Sequence, residues 1–161
     1  MSPPENLQIR SATLADREVV SLLWEALMRE QEAIEPAFRM AEDARLRWDN
    51  EYIHYVRSPV YRFRVAEMPL HGIVGFVRAF QWYMPPLYKQ ELEVFVGEIY
   101  VEPEWRGQGI GGALLADVQQ WASACGAVRI RAEVLAANRR SLHFWEKYGA
   151  RPFTVVETIS L

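Results

Sequence analysis

The sequence predicts an α/β protein in which helices cover both faces of one mixed β-sheet. Segments with the 3.6-residue period of amphipathic helices alternate with short segments rich in β-branched residues. Glycine or proline marks most boundaries between them, and a glycine-rich turn joins one of the strands to the next helix. With no internal repeat, low-complexity tract or linker, residues 1–161 are predicted to form a single domain.

The N-terminal part is predicted to contain one short strand and two helices. Residues 7–10 alternate between apolar and polar side chains, as a strand does. Thr13 and Asp16 resemble a capping box, and the apolar residues that follow at helical spacing predict a helix that ends before Pro36. Residues 39–57 predict a second, less cleanly amphipathic helix.

Three strands are predicted in the middle of the chain. Residues 61–67 and 73–82 are the first two, and residues 69–72 supply the turn between them. Residues 83–87 form a proline-broken loop, after which residues 92–101 give a strand rich in β-branched side chains.

The C-terminal part predicts two helices, each followed by a strand. One apolar helical face follows the glycine turn and ends at Gly126, and residues 128–135 are the next strand. Asn138 is a favourable N-cap for a helix that Gly149 ends. Residues 153–159 are predicted as a last strand, which could pair with a second subunit and give a homodimer.

The composition limits the classes of partner. A net charge of −3 does not favour nucleic acid, and no apolar run reaches the length of about 20 residues that a membrane span needs. The N-terminus lacks the features of a signal peptide, so we expect a cytoplasmic protein. The lone Cys125 excludes an intrachain disulfide, and the three histidines lack metal-binding spacing, so no metal is expected.

The glycine turn is the strongest functional signal in the sequence. Gly107, Gly109, Gly111 and Gly112 leave backbone N–H groups uncovered where a helix begins. The helix end adds partial positive charge, so this turn predicts a binding site for a phosphate-bearing ligand.

Two familiar phosphate-binding motifs fit this turn poorly. A P-loop requires a Gly-Lys-Ser/Thr ending, which is missing here. Gly107-x-Gly109-x-x-Gly112 with Glu133 about 20 residues later matches the dinucleotide fingerprint. However, residues 102–106 separate the strand from the first glycine, and only two predicted strands follow. This disfavours a nicotinamide- or flavin-dependent oxidoreductase.

Two motifs together resemble one enzyme family. Val101-x-Pro103 followed by Arg106-x-x-Gly109-x-Gly111 resembles the acyl-CoA signature of the GCN5-related N-acetyltransferases (the GNAT family). Downstream, Asn138-x-x-Ser141-x-x-Phe144-Trp145-Glu146-Lys147-Tyr148-Gly149-Ala150 resembles the family's Asn-x-x-Ala-x-x-Leu/Phe-Tyr-Glu-Lys-x-Gly-Phe segment. The predicted order of elements is also that of the family, so the resemblance implies its acyl-CoA N-acyltransferase fold.

The resemblance implies acetyl-CoA as the cosubstrate and assigns its contacts. The strand around Val101 would run beside the pantetheine, with the Val101 N–H aimed at the thioester oxygen. Asn138 would bind the pantetheine, and Trp145 would pack against the cofactor. The residues implied in cofactor binding are Ile99, Tyr100, Val101, Arg106, Gly107, Gln108, Gly109, Ile110, Gly111, Gly112, Asn138 and Trp145.

Acetyl transfer to an amine also requires a base and an acid. An alkyl ammonium has a pKa of about 10, so a carboxylate must accept its proton, directly or through water. Glu98 and Glu133 are the two candidates. The family usually places a tyrosine acid where this chain has Trp145, which cannot serve. Tyr148, one helical turn further, is the candidate acid, unless the CoA thiolate leaves without help.

The predicted reaction moves an acetyl group to a primary amine of a small molecule or peptide, by direct attack in a ternary complex. Nearby acidic residues, among them Glu91 and Glu93, are expected to attract a cationic acceptor. The alternative is a CoA-binding sensor or a catalytically inactive family member. The residues predicted to line an apolar acceptor pocket are Trp48, Tyr52, Trp82 and Tyr83.

Overall fold

A computed structural model describes residues 2–161 and contains five strands and four α-helices. The strands are β1 (Gln8–Ser11), β2 (Tyr61–Met68), β3 (Gly72–Tyr83), β4 (Leu92–Val101) and β5 (Arg129–Ala132). The helices are α1 (Arg17–Ile34), α2 (Ala44–Arg57), α3 (Ile110–Ala124) and α4 (Arg139–Lys147). No helix within residues 2–161 combines the length and apolarity that crossing a bilayer demands.

The strands form one sheet in the order β1-β2-β3-β4-β5. The first four strands are mutually antiparallel, and β5 is parallel to β4. The sheet is therefore mixed, as predicted. The single parallel pair follows from the connection between β4 and β5, because α3 carries the chain back across the sheet before β5 begins.

Each face of the sheet carries its own hydrophobic core. On one face, Trp24 of α1 and Trp48 of α2 pack with Phe63 and Phe76. On the other face, the apolar stripe of α3 packs on alternate residues of the same strands, and its fully buried centre is Leu114. The prediction of helices on both faces is confirmed.

Several predicted turns and helix ends have the expected geometry. The Thr13 N–H donates to a carboxylate oxygen of Asp16 at 2.8 Å, which stabilises the start of the first helical segment. Gly126 has φ +78°, the left-handed conformation that ends a helix. The Asn138 side chain accepts a hydrogen bond from the Ser141 N–H at 3.0 Å and so caps α4.

The predicted last strand is wrong. Residues 153–159 contain neither strand nor helix, and the side chains of Val155, Val156 and Ile159 are 76%, 87% and 89% exposed. Adjacent Val155 and Val156 would point to opposite faces of a strand, so the segment lacks one continuous apolar face. The neighbouring β5 is also four residues long and ends at Ala132, which leaves little edge to pair with.

Candidate active site

The turn before α3 presents a row of unpaired backbone donors. Gly107 and Gly109 have φ values of +76° and +81°, the left-handed region that glycine adopts readily. Within residues 2–161, none of the six N–H groups from Gly107 to Gly112 donates to an acceptor. A Cβ on Gly107 would meet nothing within 4 Å, so space lies open beside the turn. This arrangement can hold the oxygens of a pyrophosphate.

Next to this turn, β4 loses its parallel neighbour. The pairing with β5 covers only Glu93 to Val96, whereas pairing with β3 continues to Val101. A bulge at Gly97, where the β3–β4 register shifts, marks the point of separation. The edge formed by residues 99–101 therefore borders a gap beyond the end of β5, which we call the groove. The family resemblance implies that the pantetheine lies along this edge.

The bulge is built around an ion pair. Both Arg78 nitrogens nearest Glu98 donate to its carboxylate, at 2.6 and 2.8 Å, and the two side chains are only 11% and 10% exposed. A Cβ on Gly97 would lie 2.8 Å from the Arg78 guanidinium, which explains the glycine. Burial is the largest effect on Arg78 and disfavours its charge, but the hydrogen bonds and the charge attraction to Glu98 together raise its pKa. Both carboxylate oxygens of Glu98 thus accept hydrogen bonds from Arg78.

The second candidate base has no such partner. Glu133 follows directly after β5, and its side chain is exposed. Within residues 2–161, no hydrogen bond or ion pair engages its carboxylate. Glu133 lies at the point where the pairing of β5 with β4 ends, and its lone pairs are available to an amine or a bridging water.

Arg106, Glu30 and Arg140 form a hydrogen-bond network that links β4, α1 and α4. Its Nε donates to the Val101 carbonyl at 2.7 Å, and one Nη donates to Glu30 of α1 at 2.6 Å. Arg140 of α4 donates to the other oxygen of Glu30 at 2.6 Å. Burial would raise the pKa of Glu30, but its hydrogen bonds to both arginines lower it. This network ties α1 and α4 to the end of β4.

α4 rests on the first turn of α3. The Phe144 ring would lie 3.1 Å from a Cβ on Gly111, and the Tyr148 hydroxyl would lie 2.0 Å from a Cβ on Gly112. These two glycines therefore serve close helix packing as well as leaving N–H groups free. Trp145 is half-buried against the core beneath α3. The Tyr148 hydroxyl lies against the first turn of α3.

Two aromatic residues predicted for the acceptor pocket lie elsewhere. Trp48 and Tyr52 are 6% and 0% exposed in the core beneath α1 and α2, and the Tyr52 hydroxyl donates to the Thr13 carbonyl. They cannot line an open pocket, because their rings are enclosed by the helices and the sheet. Of the other two, Trp82 is half-buried on β3 and Tyr83 is exposed at its end.

Sequence reasoning missed Glu30 and Arg78. Arg78 is a charged residue in the middle of β3 within an otherwise apolar stretch, whereas Glu30 lies on the fourth turn of α1 among other polar residues. A charge within an apolar stretch requires a partner when it is buried, and that signal could have identified Arg78 but not Glu30.

The amino-acid sequence of this chain matches a known family model. The model described as the acetyltransferase (GNAT) family matches residues 22–150. The chain belongs to this family.

Individual relatives share parts of the sequence or the fold. Thialysine N-epsilon-acetyltransferase of Bos taurus is 36% identical over 64 residues, which are 40% of this chain and 38% of that enzyme's own length. The tetramutant of the BH1408 protein from Bacillus halodurans aligns at TM-score 0.87 and 19% identity, over 96% of this chain and 99% of that one. Aminoglycoside N-acetyltransferase AAC(6')-Iy, solved in complex with CoA, aligns at TM-score 0.72 and 20% identity, over 100% and 99%.

Proposed function

We propose that this protein is an acetyl-CoA-dependent N-acetyltransferase that acetylates a primary amine of a small molecule. The observation that carries the proposal is the row of six unpaired N–H groups at the start of α3, adjoining the open edge of β4. That combination fits a long cofactor with a pyrophosphate at one end and an extended amide-containing arm at the other. Relatives named for thialysine and aminoglycoside acetylation support an amine acceptor.

Binding follows from the groups already described. The N–H groups of Gly107 to Gly112 hold the pyrophosphate, and the backbone of Ile99 to Val101 pairs with the pantetheine arm. Acetyl-CoA supplies the activated acetyl thioester. The Val101 N–H, or a neighbour on the same edge, stabilises the negative charge that develops on the thioester oxygen, an effect worth about 3 kcal/mol.

We propose Glu133 as the base. Its carboxylate is free, whereas the lone pairs of Glu98 already accept two hydrogen bonds from Arg78. Glu98 then positions Arg78 and the bulge beside the reacting groups. The acid is less defined by the fold: Tyr148 stays a prediction, and the place of its hydroxyl against Gly112 favours departure of the thiolate without it.

One observation favours a second candidate, a CoA-binding protein without transferase activity. Trp145 stands where the family usually has its tyrosine acid, and its ring is half-buried in the core. Such a protein would bind acetyl-CoA and leave every amine unmodified.

An amine panel separates the two functions. Release of free CoA thiol is measured with polyamines, amino acids and amino sugars at saturating acetyl-CoA. We expect turnover with at least one class, reduced about a hundredfold in Glu133→Gln. Glu157→Gln, in the exposed C-terminal segment, is the matched control and should match the unmodified protein. Binding of acetyl-CoA without turnover on any amine would support the second candidate instead.

A further inference from the structure

A ladder of charged and aromatic side chains continues the α1/α2 face of the sheet beyond the hydrophobic core. Cross-strand pairing aligns Arg78 with Glu98, Phe80 with Phe95 and Arg131, and Trp82 with Glu93 and Arg129. Their neighbours in sequence, such as Val94 and Val96, belong to the core on the α3 face. We call this set of eight residues the polar strip; it begins at Glu98, next to the groove.

The polar strip carries one more positive charge than negative charges. Glu93 is 0% exposed and accepts hydrogen bonds from Arg129 and, at 3.3 Å, from Arg131. Glu98 is matched by Arg78. Outside the strip, Glu91 lies 2.6 Å from Lys89 and 3.7 Å from Arg129. Glu91 and Glu93, which were expected to attract a cation, are therefore paired with arginine or lysine, and the surplus positive charge of the strip favours an anionic group.

Arg131 combines free donors with packing against two aromatic rings. Its guanidinium carbon lies 4.8 Å from the ring centroid of Trp82 and 4.9 Å from that of Phe153. Only one Nη is engaged, by Glu93 and the Met84 sulfur, so Nε and the other Nη have no acceptor within residues 2–161. Neither atom is fully enclosed, because Trp48 Nε1 is the sole enclosed unpaired side-chain nitrogen or oxygen in that range. The free Nε and Nη of Arg131 form a donor fork, and a guanidinium fork in a fixed position binds carboxylates well.

The spacing along β4 sets the length of a ligand that spans the strip. Arg131 lies opposite Phe95, and Glu98 follows three residues later with the bulge between. At about 3.3 Å per residue this is roughly 7–10 Å. The stacked rings of Phe80 and Phe95, with centroids 5.4 Å apart, form an apolar floor beside Arg131, at the start of that distance.

We propose that the acceptor is an ω-amino acid, whose carboxylate binds Arg131, whose methylene chain lies on Phe80 and Phe95, and whose amine reaches the groove beside Glu98. The proposal rests on the proposed function and names the substrate class of the same site. An amine without the anion would leave the Arg131 fork unpaired.

Two molecules of equal length test the carboxylate. We compare 6-aminohexanoate with 6-aminohexanamide, both as acetyl acceptors and, by titration calorimetry with CoA present, as ligands. We expect the acid to be favoured by at least about tenfold in kcat/KM and in affinity. Equal values for acid and amide would overturn the proposal. If neither is acetylated but the acid binds preferentially, the proposed transferase activity fails and the carboxylate site stands.

Matched variants test the residue. Arg131→Gln and Arg129→Gln each remove one arginine from Glu93, but only the first removes the fork next to Phe95. Arg131→Gln should reduce the preference to within about threefold, and Arg129→Gln should keep it. Arg131→Lys retains a charge beside Glu93 if the glutamine variant unfolds, and it should weaken the preference. An undiminished preference in either Arg131 variant would overturn the assignment.

Discussion

The contact between α4 and the first turn of α3 can be tested by adding one methyl group. In Gly112→Ala the new Cβ would lie 2.0 Å from the Tyr148 hydroxyl oxygen and 2.9 Å from Cζ of the same ring. Without the ring, alanine would stabilise the helix by about 1 kcal/mol relative to glycine. With it, overpacking costs about 1–3 kcal/mol, so the substitution should be neutral or destabilising.

A double-mutant cycle isolates this contact. Gly112→Ala is measured in the unmodified protein and in Tyr148→Ala, with the free energy of unfolding taken from urea denaturation followed by tryptophan fluorescence. We expect the effect of the methyl group to differ between the two backgrounds by about 1–3 kcal/mol, and to be stabilising in Tyr148→Ala.

The neighbouring glycine provides the control. A Cβ on Gly111 would approach Phe144 at 3.1 Å rather than Tyr148, so Gly111→Ala should have the same effect whether or not Tyr148 is present. The reasoning is refuted if Gly112→Ala changes the free energy of unfolding equally in both backgrounds, because α4 would then not rest on Gly112.

Three further predictions concern the site. Tyr148→Phe should leave kcat within about threefold of the unmodified value, since the hydroxyl lies against Gly112; a larger fall, with loss of the basic limb of the pH–rate profile, would make Tyr148 the acid. Glu30→Gln should destabilise the protein at pH 7, because the charged partner of Arg106 and Arg140 is lost. The folded state lowers the pKa of Glu30, so its contribution to stability is complete above the ordinary glutamate pKa of about 4.3 and is lost as pH falls through the folded-state value. The free energies of unfolding of the variant and the unmodified protein should therefore converge in acid. A difference between them that stays constant with pH would contradict this. Gly97→Ala should destabilise by about 1–3 kcal/mol through its contact with Arg78, measured by thermal or urea unfolding, and an unchanged stability would show that the bulge tolerates a side chain.

Local signals in the sequence were sufficient for most of the fold. Periodicity located the four helices and five of the six predicted strands, and Gly126 and Asn138 marked helix ends that the structure confirms. The prediction of a sixth strand over residues 153–159 was wrong, because β-branched composition indicates a preference for strand conformation but does not supply a neighbouring strand to pair with. The outer edge of β5, next to which residue 153 lies, is only four residues long.

The candidate site could also be predicted from the sequence only in part. The geometry of the glycine turn could be predicted because it depends on the backbone, whose left-handed conformations glycine spacing indicates directly. The charge pairing could not be predicted, because Arg78 and Glu98 are 20 residues apart, and Glu30 and Arg140 are 110 apart. Only the strand register and the packing of α1 bring these partners together. The same ignorance of register made Glu91 and Glu93 look like free negative charge.

The central claim is that the turn from Gly107 to Gly112 and the open edge of β4 together bind acetyl-CoA. Isothermal titration of the purified protein with acetyl-CoA tests it most directly, with NADH as a control that also carries a pyrophosphate. We expect saturable binding of about one acetyl-CoA per chain and no comparable binding of NADH. A folded protein that binds neither ligand, or that prefers NADH, would contradict it.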